Sequence, residues 1–266
     1  MITKQIIDEY IRQIPPVPKI LKQTILFVDQ GELTKASKIA SQDLALKHYL
    51  IDIVNKPYYG FSSKVTDLSQ IFGILGQIKA KQILHTYLMN IMNPKEWKFF
   101  KLNHNDFIYF QVTLTNNWNK ILAYKNINED NISISITILP LAVLIIEHLF
   151  KKEQKEIELI RSYSDIDLNT ILKRLSGYTL FDIATQIAKK WELPSKIYNI
   201  IESSSGLNRS NDNQIDMLGK WMHLLLFHTI SQEQLIGSGL NDFIEFKIDY
   251  VSNIYEEFLK IMDIDK

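Results

Sequence analysis

Side chains able to do metal or acid–base chemistry are sparse in this sequence. It carries six histidines, His48, His85, His104, His148, His223 and His228, and no cysteine. Without cysteine there are no disulfides, thiolate nucleophiles, zinc–thiolate sites or Cys-ligated iron–sulfur clusters. His223 and His228 lie five residues apart, which misses the i, i+4 spacing that sets two ligands on one helical face. His104-x-Asp106 offers two donors from a loop, and Glu147-His148 two more; after rearrangement these four are one example of a relocated hydrolase or nucleotide site. Each histidine taken singly reads as a core or surface residue. The sequence has no dinucleotide fingerprint, phosphate loop or nucleophile elbow. Gly73-Ile-Leu-Gly76 sits in an apolar helical pattern and reads as close packing.

The elements that would position such groups are helical. Lys plus Arg equals Asp plus Glu, 30 of each, so no global field draws the chain to nucleic acid or anionic lipid, and neither is an expected partner. Only nine glycines and seven prolines occur in 266 residues, which points to long helices with short connections. Ile2, Ile6, Ile7, Tyr10, Ile11 and Ile14 share one helical face, and Pro15, Pro16 and Pro18 stop that helix. Thr34 and Asp43 are expected N-caps, Gly31 a terminator, and Asp67 the cap of a helix that Gly76 divides from the next. Asp106 is expected to cap a helix from Phe107 to Tyr124.

The least polar stretch, Ile132 to Ile146, alternates Ile with Ser or Thr and then turns apolar on every face. As a helix it would rise only about 22 Å, short of a hydrocarbon core, so it is expected inside the fold. A central helix is favoured over a strand, entered at Ser133 or Ser135 and bent near Pro140.

Several motifs fall in a recognisable order. Ile14-Pro-Pro-Val-Pro18 is followed by Leu33 to Ala40, Asp43, Asn55-x-x-Tyr58-Tyr59-Gly60 and Val65-x-x-Leu68-x-x-Ile71-x-x-Leu75-Gly76, with Trp191-Glu-Leu-Pro194 further on. This pattern resembles the HDOD domain, an HD-related output domain of bacterial signalling proteins, over roughly residues 10 to 207. The departures are Leu44, Lys56 and Phe72, where the family has proline, serine and a small residue. The resemblance implies an all-α fold, with an N-terminal helical lobe over 1–94 packed on an HD-phosphohydrolase-like bundle over 95–266. Pro15, Pro16, Pro18, Asp43, Asn55, Tyr59, Gly60, Gly76, Trp191 and Pro194 would be structural motif residues.

HD phosphohydrolases hold metal through histidine and aspartate. In register with that family, the His-Asp dyad falls at Leu139-Pro140, an upstream histidine near Gln111 or Val112, a later one near Leu180, and a final pair at Ser204-Ser205. None of these can replace the lost donors. The resemblance therefore implies a non-catalytic signalling or scaffold module without cofactor or catalytic metal, and the lack of cysteine fits the cytoplasm. It would act on another signalling protein. Tyr58, Tyr59, Trp97, Phe99 and Phe100 form the expected interaction surface, chosen for aromatic density.

Overall fold

The computed structural model describes residues 2–13, 19–56, 61, 63–127, 129, 132–163, 166–191 and 193–264. Every regular element among them is a helix, as expected. Pro15, Pro16, Pro18, Tyr58, Tyr59 and Gly60 lie outside the described residues. The chain divides into two compact units, Gln13–Met92, and Met1–Arg12 with Asn93–Lys266.

The smaller unit holds α2 (Lys19–Asp29), α3 (Leu33–Ala40), α4 (Leu44–Val54) and α5 (Leu68–Met92), with α5 packed against the other three. Leu21, Val28, Ala36, Leu46, Leu50, Ile71 and Phe72 are buried among them. Asp43 caps α4 by accepting the Leu46 amide at 2.9 Å, and Asp67 accepts the Gln70 amide at 2.8 Å. Gly31 follows α2 at φ 74°. Gly76 breaks α5 at φ 66°, ψ 176°, a conformation that costs a side-chain-bearing residue dearly. Thr34 is not the cap of α3; that position is Glu32, without a side-chain cap.

The larger unit holds α1 (Lys4–Gln13), α6 (His104–Tyr124), α7 (Ile132–Ser135), α8 (Ile138–Lys152), α9 (Gln154–Tyr163), α10 (Leu168–Ser176), α11 (Leu180–Lys190), α12 (Ser195–Ser203), α13 (Asn213–Ile230), α14 (Ile248–Val251) and α15 (Tyr255–Met262). Residues 1–12 group here and not with the small lobe. Ile2, Ile7 and Ile11 are buried, the Tyr178 hydroxyl donates to Asp8 at 2.9 Å, and Lys190 Nζ donates to the Ile11 carbonyl. The cap of α6 is Asn103, three residues before Asp106. Asn103 takes the Asp106 amide while the Asp106 carboxylate takes the Asn103 amide, a reciprocal capping box.

Every residue from Ile132 to Glu147 is buried. Two helices, not one, span the stretch, and neither serine caps them. Ser135 Oγ donates to the Ile132 carbonyl at 2.6 Å and Thr137 Oγ1 to the Ile134 carbonyl at 2.7 Å, so these two hydroxyls are satisfied by the backbone one turn back. Pro140 is the third residue of α8, where its missing amide has no intrahelical acceptor to lose; no bend is needed. Ile132–Lys152 is the one described stretch long and apolar enough for a membrane span, and 94 % of its apolar window is buried within the protein. That is the burial of a core helix.

Candidate functional site

Of the positions that the resemblance sets in the HD register, Leu139, Pro140, Leu180 and Ser204 are buried. Leu139 and Leu180 are 0 % and 2 % exposed. Pro140 is buried beside Leu139. Ser204 is fully buried, its hydroxyl donating to the Ile201 carbonyl at 2.7 Å. Gln111 is 2 % exposed, and neither atom of its amide has a partner among the described residues. Val112, the other candidate for that register position, is exposed.

The relocated set is not brought together. Among the described residues no three His, Asp or Glu side chains are placed to share a metal ion. Glu147 is committed elsewhere: its carboxylate accepts the amides of Lys98 at 2.6 Å, Phe99 at 3.1 and 3.2 Å, and Phe100 at 2.8 Å. Asp106 serves the α6 capping box and accepts Gln234 Nε2 at 3.0 Å. His104 Nδ1 meets Asn93 Nδ2 at 3.0 Å on the surface. His148 is half-buried, its pKa lowered by burial and then by Lys152 and Lys151. Sequence reasoning had placed Glu147 in a possible active site and missed the turn it ties down. The available signal was a lone carboxylate closing an uncharged run, since a buried charge requires partners.

A second polar joint lies around the end of α12. His223 is 0 % exposed. Its Nδ1 lies 2.9 Å from the Ser204 carbonyl, and its Nε2 accepts the Lys247 amide at 3.1 Å. That pair of contacts assigns the neutral Nδ1–H tautomer, and burial lowers the pKa to match. Beside it Ser203 Oγ and Tyr250 Oη are 3.0 Å apart. Gly219 lets α13 approach them so closely that a Cβ there would stand 2.6 Å from Ser203 Oγ.

The same region carries an open cleft of about 380 Å³, between α10, the start of α11 and the loop after α12. Phe181 and Leu207 supply its apolar walls, and Lys173, Asp182, Glu202 and Asn208 its polar ones. Nothing in the local sequence pattern points to it, because the contributing residues are ordinary helix-end and loop residues between Lys173 and Asn208.

Of the motif residues, Asn55 does the clearest work. Its Nδ2 donates to the Ile51 and Val65 carbonyls, both at 2.7 Å, and its Oδ1 accepts the Val65 amide at 2.8 Å. One side chain thereby closes α4 and pins the segment that enters α5. Trp191 is the C-cap of α11, and Pro194 precedes α12 at φ −53°. Among the aromatics, Phe100 is 2 % exposed, while Trp97 and Phe99 are half-buried. Trp97 contacts Phe107 at 5.0 Å between centroids, Phe99 contacts Phe150 at 4.8 Å, and Phe100 contacts Phe243 at 5.4 Å. These rings pack the larger unit, leaving only part of Trp97 and Phe99 open to a partner.

A family model for the HDOD domain matches residues 14–206. An HDOD domain protein of unknown function from Geobacter sulfurreducens superimposes with a TM-score of 0.63 at 14 % identity, covering 98 % of this chain and 96 % of that one. A candidate metal-dependent phosphohydrolase from Shewanella amazonensis gives a TM-score of 0.51 at 13 % identity, covering 90 % and 96 %. At such identities these likenesses bear on the fold alone. No curated protein matches the sequence. The family match spans most of the chain, and the helical architecture agrees with it: the chain belongs to the HDOD family, relatives of the HD phosphohydrolases.

Proposed function

We propose that this chain is a non-catalytic signal-transduction or scaffold module, cytoplasmic, that works by binding another protein. The observation that carries the proposal is the chemistry at the register positions: Leu139, Pro140 and Leu180 are buried and have no donor atom, and the Ser204 hydroxyl is spent on the Ile201 carbonyl. Metal-assisted hydrolysis needs anionic or imidazole ligands converging on one point, and these side chains supply none. Glu147, the one buried carboxylate nearby in sequence, is held by three amides and would have to abandon them to bind a cation.

The test is hydrolysis of a chromogenic phosphodiester and of a cyclic dinucleotide, with Mn²⁺ or Fe²⁺ added. The expected result is a rate no greater than that of the metal alone. Turnover that survives further purification and saturates with substrate would overturn the proposal. For the binding surface, Trp97→Ala and Phe99→Ala are the informative changes, because both rings keep exposed area; Phe100→Ala would mainly open the core. Loss of a purified partner with unchanged melting temperature would support a docking role for Trp97 and Phe99, and retention of that partner would remove it.

A further inference from the structure

The cleft beside α10, α11 and α12 brings charged, polar and apolar side chains to one place. Lys173, in the last turn of α10, and Glu202, near the end of α12, are both exposed. Neither side chain enters an ion pair or hydrogen bond among the described residues, although opposite charges commonly pair on a surface. Asp182 is fixed: its Oδ2 accepts the Thr179 amide at 2.8 Å and the Thr179 hydroxyl at 2.7 Å, a capping box that sets the carboxylate's direction and leaves Oδ1 without a hydrogen bond among the described residues. The opposite wall is fixed as well. Ser205 Oγ donates to the Glu202 carbonyl at 2.7 Å and accepts the Leu207 amide at 3.2 Å. Gly206, at φ +70°, lies against Lys247 and Tyr250 so closely that a Cβ would stand 3.1 Å from Lys247 Cγ. A volume of about 380 Å³ lies within the range of small-molecule sites, and the held Asp182 and loop backbone lower the entropic cost of binding.

The charges choose the ligand class. Asp182 on α11 and Glu202 on α12 line the cleft together with a single lysine, Lys173, so the lining carries a net negative charge and favours a cation over a phosphate or other anion. A guanidinium suits this arrangement best: its planar fork pairs with carboxylates, and its weakly hydrated face tolerates aromatic and aliphatic walls such as Phe181 and Leu207. Lys173 then completes the site for a ligand that also bears a carboxylate. We propose that this cleft binds a guanidinium-bearing ligand, its cation held by Asp182 and Glu202 and its carboxylate by Lys173. The proposal goes beyond the non-catalytic reading and does not depend on it, because binding is read without reference to hydrolysis or to a partner protein.

The test is calorimetric titration of the purified full chain with three probes: free arginine, its decarboxylated analogue agmatine, and N-acetyl-arginine amide. The variants are Glu202→Gln and Lys173→Met, both at exposed positions outside the core, with melting temperature as the check on folding. Saturable binding of arginine is expected, weakened about tenfold or more by Glu202→Gln, as for loss of a charged hydrogen bond. Lys173→Met should reduce arginine binding to the agmatine level and leave agmatine unchanged. If the capped amide binds as tightly as free arginine, the guanidinium assignment stands with a basic side chain of a peptide as its source, and the carboxylate role of Lys173 falls. No saturable heat with any probe at millimolar concentration, or binding indifferent to Glu202→Gln, would overturn the proposal.

Discussion

Glu147 on α8 and Gln111 on α6 are equally buried, each 2 % exposed, yet they are opposite kinds of residue. Three successive amides converge on Glu147 from a turn 47 to 49 residues away in sequence. Gln111 has two polar side-chain atoms and no partner for either among the described residues. Burial alone therefore does not mark a functional polar group in this fold. The end of α8 is a constructed joint in which charge is required. The middle of α6 is a place where polarity is tolerated.

The largest effect should come from Glu147→Ala, which strands three amides around the Phe100 turn and should cost roughly 3–5 kcal/mol. A loss below about 1 kcal/mol in chemical denaturation would make Gln111 and Glu147 alike and dissolve the contrast. Asn55→Ala removes three hydrogen bonds that join α4 to the entry of α5 and should cost about 2–3 kcal/mol. Gly219→Ala would drive a methyl into the Ser203–Tyr250 contact, with an expected cost of about 1–3 kcal/mol; an unchanged midpoint would show that α12 and α13 separate freely.

Acid should separate the joints further. His85 is pushed down to about 3 by burial and then by Lys81, and burial lowers His223 and His228 as well. Because the unfolded chain binds protons near pH 6.5 and the folded one resists them, stability is flat above that value and falls as pH drops below it toward the folded pKa values. Melting temperatures from pH 7.5 to 4.5 should decline on this pattern, and His223→Gln should shallow the slope. A curve that rises toward acid would contradict the neutral assignment. The smallest change is expected for Gln111→Met, which removes two unpartnered polar atoms at nearly constant volume and should be neutral or stabilising by up to about 1 kcal/mol. A loss comparable to that of Glu147→Ala would mean that Gln111 has a role like that of Glu147.

Local signals were legible in the sequence and long-range ones were not. Asp43, Asp67, Gly31 and Gly76 announced helix ends because a cap or a positive φ depends on a few adjacent residues. Thr34 and Asp106 each lay within a few residues of the true cap, since Ser, Thr, Asp and Asn compete at neighbouring positions and entry geometry picks among them. Ser133 and Ser135 misled as caps because a hydroxyl inside a helix can bond the carbonyl behind it, and spacing alone does not distinguish the two uses. The Glu147 turn, the His223 joint and the Lys173–Asp182–Glu202 cleft each join segments distant in sequence. No local pattern encodes such meetings. Of a metal site the sequence carried only an expectation drawn from the resemblance, that Leu139, Pro140, Leu180 and Ser204 stand in the HD register.

That expectation frames the decisive measurement, the metal content of protein purified without chelators or affinity metals and analysed by mass spectrometry for iron, manganese, zinc and cobalt. The account predicts less than about a tenth of an equivalent of any of them, a level set by trace contamination at a chain whose register positions offer no ligands. A near-stoichiometric metal that persists through gel filtration, and whose removal lowers the melting temperature, would contradict the non-catalytic assignment and require a ligand set formed by residues other than those in the HD register.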